Sequence, residues 1–92
     1  DGAPAPKLAW FKNMEFSSLD MTNAKPGETL MDINGFPDEK HYTRDITFNN
    51  VRLPQGAKIK IKNCNGITFN NVTDVTGVKP TYVINKSKNI VD

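Results

Sequence analysis

Ile46-Thr47-Phe48-Asn49-Asn50-Val51 returns unchanged as Ile67-Thr68-Phe69-Asn70-Asn71-Val72, 21 residues further along the chain (46 to 67). Such a recurrence marks a repeat architecture, in which each unit buries its apolar face against its neighbours. The series extends forward to Asn89-Ile90-Val91 and backward to Met14-Glu15-Phe16-Ser17-Ser18-Leu19. A second series lies between its members: Met31-Asp32-Ile33-Asn34, Ile59-Lys60-Ile61-Lys62 and Tyr82-Val83-Ile84-Asn85. Both alternate with period two, so each repeat holds at least two short strands with one buried face.

Superposing the repeats predicts apolar columns. Met14, Ile46, Ile67 and Ile90 form one, with Phe16, Phe48 and Phe69 in a second and Leu19, Val51 and Val72 in a third. Met31, Ile59 and Tyr82 form a fourth, and Ile33, Ile61 and Ile84 a fifth. Short strands at this period, without a helical stretch, predict an all-β solenoid: a parallel β-helix of about three to four coils over residues 8–92. Asparagine tolerates the left-handed backbone that a sharp bend needs, and stacked amides can hydrogen-bond to one another. Asn49-Asn50 and Asn70-Asn71 are therefore expected to form a ladder, with Ser17-Ser18 as its first rung. Pro26-Gly27, Pro54-Gln55-Gly56 and Gly77-Val78-Lys79-Pro80 supply the turns between the two series. Residues 1–7 read as a lead-in or linker, and residues 35–43 as an inserted loop.

Composition narrows the function. The 92 residues make one small domain or a piece of a larger one. A formal charge of +2 is too small for the field that a nucleic-acid partner needs. A single Cys64 and a single His41 make neither an internal disulfide nor a zinc cluster, and no metal or cofactor is expected. Apolar runs fall far short of the roughly 20 residues that span a bilayer, so no membrane role is expected.

The strands Thr43-Arg44-Asp45-Ile46-Thr47-Phe48-Asn49-Asn50-Val51, Ala57-Lys58-Ile59-Lys60-Ile61 and Gly66-Ile67-Thr68-Phe69-Asn70-Asn71-Val72 resemble the C-terminal coils of polygalacturonase-type (pectinase) glycoside hydrolases. The resemblance covers roughly Met14 to Val91 and implies a right-handed parallel β-helix from a secreted protein, extracellular or periplasmic. It also implies hydrolysis of galacturonan or a related polysaccharide by inversion, which needs two carboxylates roughly 6.5–9.5 Å apart. The family's Asn-X-Asp, Asp-Asp, Gly-His-Gly and Arg-Ile-Lys motifs are absent here. Lys58-Ile59-Lys60 comes nearest to the last, without the arginine that would grip a carboxylate at two points. No catalytic residue is carried over, and whether the chain is part of an enzyme is left open.

Candidate binding residues remain. Lys58, Lys60 and Lys62 alternate with Ile59 and Ile61 and are expected on one outward face, where they could hold an acidic polymer such as polygalacturonate or discourage edge pairing. His41, Tyr42 and Arg44 cluster at the inserted loop as contacts for a sugar acid. Asp32 faces Lys60 one repeat away and is expected to pair with it. Asp38 and Glu39 read as a solvated loop tip, and Trp10 and Phe11 as a cap on the open core. Three readings compete: the C-terminal β-helix portion of a polysaccharide-degrading enzyme, a carbohydrate-binding module, and an assembly unit that meets a partner or another copy through open ends. The third rests on Ile90-Val91-Asp92, a strand of the repeat with no visible cap.

Overall fold

A computed structural model of the chain describes residues 7–8, 12–23 and 29–92. The strands are β1 (Lys7–Leu8), β2 (Lys12–Ser17), β3 (Thr29–Asn34), β4 (Thr43–Leu53), β5 (Lys58–Lys62), β6 (Cys64–Asp74), β7 (Thr81–Asn85) and β8 (Lys88–Val91). A short 3-10 helix, Glu39–His41, precedes β4. Odd-numbered strands form one four-stranded parallel sheet in the order β1-β3-β5-β7, and even-numbered strands a second in the order β2-β4-β6-β8. The chain is thus all-β, and each strand pairs with the one two places on.

The observed register reproduces the predicted columns. Met14, Ile46, Ile67 and Ile90 align across the even sheet, as do Phe16, Phe48 and Phe69. Met31, Ile59 and Tyr82 align in the odd sheet, beside Ile33, Ile61 and Ile84. All of these side chains except Ile84 meet in one core fed by both sheets; Ile84, expected inward in the fifth column, is 45% exposed, because β7 is the last strand of its sheet among the described residues and nothing there packs over it. The core's inner isoleucines are wholly buried, each contributing about 1.5–3 kcal/mol relative to exposure. Within it the Phe48 ring lies 5.2 Å from both Phe16 and Phe69, at interplanar angles of 14° and 7°.

At the amino-terminal side Lys7 and Leu8 form β1, in register with Asp32 and Ile33. A two-residue strand is too short to show alternation. The roles expected for Trp10, Phe11 and Pro26-Gly27 lie outside the described residues.

Left-handed residues stack in rows and bend the long strands. Asp45 and Asn50 bend β4, with φ of 56° and 58°, and Gly66 and Asn71 bend β6, with φ of 87° and 55°. In register with them, Asn13, Ser18 and Asn89 also have positive φ. This conformation costs an ordinary L-residue roughly 1–2 kcal/mol, which explains the Asn, Asp and Gly at these corners.

The asparagine ladder is present. Asn70 Nδ2 donates to Asn49 Oδ1 and Asn71 Nδ2 to Asn50 Oδ1, both at 2.9 Å. The first rung differs from expectation: Asn49 Nδ2 donates to the Glu15 carboxylate at 2.6 Å instead of to a serine. A carboxylate is the stronger acceptor, and its longer side chain reaches the amide diagonally. A further rung, Asn89 Nδ2 to Asn65 Oδ1 at 2.7 Å, was not foreseen.

At β8 the aromatic column gives way to a carboxylate. Val91 pairs with Thr68, so Asp92 follows at the register position of Phe69 and puts a carboxylate where the aromatic column would continue. Tyr82, from the opposite sheet, covers Phe69 with a ring centroid 4.7 Å away and donates its hydroxyl to Asp92 at 2.7 Å. Lys79 Nζ lies 3.4 Å from the other carboxylate oxygen. Burial and the Asp92 charge both push the Tyr82 hydroxyl pKa upward.

Candidate functional site

Burial of Ile59 and Ile61 forces Lys58, Lys60 and Lys62 to the solvent side of β5, where all three are exposed. Successive ammonium stems therefore leave the strand about 6.6 Å apart. Their cross-strand neighbours are Thr29 and Thr81 for Lys58, Asp32 and Val83 for Lys60, and Asn34 and Asn85 for Lys62. Asp32 does lie opposite Lys60, but the expected ion pair does not close. Among the described residues the carboxylates within 4.0 Å of a lysine are Asp92 and Glu39, each held by a lysine outside β5. An exposed pair of this kind gains too little Coulomb energy to hold a lysine in one rotamer. The row keeps three cations without a carboxylate partner among the described residues.

The inserted loop rises at the Lys62 end of this row, and one residue, Asn63, clasps both sides of its neck. Gly35 N donates to Lys62 O at 3.0 Å, Thr43 N to Asn63 O at 3.1 Å, and Asn63 Nδ2 to Gly35 O at 3.0 Å. Asn63 is buried and left-handed, with φ of 55°. Asn63→Gly removes only the amide and is expected to cost about 1 kcal/mol, whereas Asn63→Ala also strains the backbone and is expected to cost about 2 kcal/mol or more. Urea unfolding of the two variants checks this order; equal costs would remove the backbone half of the explanation.

No protein-family model, curated protein or solved structure matches this chain.

Within the loop, Asp38 caps the 3-10 helix by accepting from Lys40 N at 3.1 Å, and its second oxygen meets His41 Nδ1 at 3.1 Å. The Lys40 N–H, followed by His41, holds the Asp38 carboxyl below the usual carboxylate range. The Phe36 ring meets the His41 ring edge-on, with centroids 6.5 Å apart. Tyr42 is half-buried and closes the helix through its N–H to Glu39 O. Glu39 reaches Lys88 at 3.8 Å. Arg44 is half-buried on β4, between Lys12 and Asn65 in the backbone register.

The six predicted residues thus fall in three places: the β5 lysines, His41 and Tyr42 in the inserted loop, and Arg44 on β4, with the Gly35–Lys62 bond tying the loop to β5. Asp38 and Glu39 have separate partners, Lys40 N and His41 for the first and Lys88 for the second. Cys64 is buried, its Sγ 3.2 Å from Lys62 O, and burial pushes the thiol pKa up, away from a nucleophilic thiolate. Among the described residues no three His, Cys, Asp or Glu side chains gather as a metal site.

Sequence reading overlooked Phe36 and the Asn63 clasp. The latter had a signal: superposing Ile33 on Ile61 places Gly35 opposite Asn63, at the point where the detour begins.

Proposed function

We propose that the chain is a stretch of right-handed parallel β-helix, about three to four coils, that binds an acidic polysaccharide without cleaving it. The strand-by-strand alternation between sheets and the rows of left-handed corners support that architecture, and parallel crossovers are right-handed in nearly all folds. The observation that carries the binding reading is the row Lys58, Lys60 and Lys62: regularly spaced cations on the solvent side of a sheet, with no carboxylate paired to them among the described residues. A linear polyanion offers many such pairings at once, so weak contacts add. In this reading the chain is the non-catalytic, C-terminal part of a secreted pectinase-like glycoside hydrolase, and polygalacturonate is its probe ligand.

The test is native electrophoresis through gels with and without polygalacturonate. Wild type is expected to be retarded and to leave the polymer intact. Substituting Lys58, Lys60 and Lys62 together with glutamine is expected to weaken retention by about tenfold or more, taking roughly 0.5–1 kcal/mol per exposed charge contact. Clearing of the polymer would overturn the non-catalytic reading, and unchanged mobility of the wild type would overturn the ligand.

A further inference from the structure

Phe36 stands outside the core with 52% of its surface exposed. Its neighbours are a half-exposed imidazole and carboxylate: the His41 side chain is 48% exposed and that of Asp38 59%. An aromatic ring left in water loses the transfer free energy it would gain in the core, yet the loop that carries this one is tied by several contacts. The neck is clasped by Asn63, Asp38 is fixed by Lys40 N, His41 is fixed by Asp38, and the Phe36 ring abuts His41. Such ordering before binding lowers the entropy that a ligand must overcome.

We infer that Phe36, Asp38 and His41 form a sugar-stacking site, which takes the C–H face of a pyranose ring on Phe36 and its hydroxyls on Asp38. Each Asp38 oxygen already accepts one hydrogen bond and keeps a lone pair for a second, so the pair can receive two neighbouring hydroxyls. A carboxylate at this point selects donors and rejects the sugar's own acid group. The site therefore recognises the hydroxyl-bearing ring, while the β5 lysines take the anionic substituents. Phe36 follows Gly35, whose N–H is bonded to Lys62 O, so the stacking site starts one residue from the bond that ties the loop to the end of the lysine row.

This inference rests on the polysaccharide reading, and two polymers separate the failures. Polygalacturonate has both charge and pyranose rings; polyglutamate has charge alone. Phe36→Ala is expected to weaken retention by polygalacturonate about tenfold and to leave retention by polyglutamate within about twofold, while Phe36→Tyr keeps both. Equal losses on the two polymers, or no loss on either, would overturn the stacking site and leave the lysine row standing. Failure of wild-type protein to bind polygalacturonate would overturn both readings. Far-ultraviolet circular dichroism and the unfolding midpoint of Phe36→Ala should match wild type, because the ring contributes nothing to the core.

Discussion

Gly35→Ala is expected to lose about 3–5 kcal/mol of stability, a large fraction of what a small domain has in total. A Cβ at this position would lie 2.3 Å from Asn63 O and 2.6 Å from Thr43 N, both backbone atoms. Neither can retreat alone: each is one end of the same hydrogen bond across the loop neck, and strands on either side hold both residues in register. Relief requires the neck to open, which forfeits three hydrogen bonds of about 1 kcal/mol each in addition to the strain of overpacking. Gly35 does not have positive φ, so the demand is for space and not for backbone freedom. Urea unfolding followed by circular dichroism measures the loss, and a wild-type midpoint would show that the neck tolerates a methyl group.

Phe48→Ala is expected to cost about 3–5 kcal/mol. Phe48 is 2% exposed and is the middle ring of the stack, contacting Phe16 on one side and Phe69 on the other. Truncation leaves a void between two rings carried by neighbouring strands. Those strands cannot close it, because backbone pairing holds them at the roughly 4.8 Å sheet spacing. Phe48→Leu, which refills most of the volume, should recover at least half of the loss. Thermal unfolding of the pair decides the matter; equal destabilisation would mean that ring stacking, and not volume, carries the contribution.

The contrast between what was legible in the sequence and what was not follows the size of the energies. Ile46 and Ile67, or Ile33 and Ile61, each place a large apolar side chain at the same point of the repeat, and a slip by one residue would expose every one of them. Burial on that scale makes the pairing readable by superposition alone. The Asp32–Lys60 contact failed because adjacency in register does not bring two exposed, mobile side chains together. Glu15 was hidden for a different reason. It belongs to the column of Thr47 and Thr68, and only its length lets it reach Asn49 diagonally. Tyr82 was placed in the right column, but its reach across to Phe69 and Asp92 depends on how the two sheets face each other, which no one-dimensional alignment contains. The lysine row was legible because Ile59 and Ile61 dictate its direction. Phe36 was not, because an inserted loop has no counterpart in the other repeats to compare it with.

Asp92 interrupts the file of rings with a charge. The outer edge of a parallel sheet is a template: its unpaired N–H and C=O groups accept a strand from any molecule with the right spacing, and self-similar sequences supply such strands. A strand arriving on β8 in register would have to lay an apolar side chain on a carboxylate that Tyr82 and Lys79 already hold. The arriving molecule would desolvate that charge, break its contacts and gain no ring to stack upon. One acidic residue in an otherwise aromatic file thus sets a condition on register: any strand that pairs with β8, from this chain or another, meets a held charge where the other strands meet a ring.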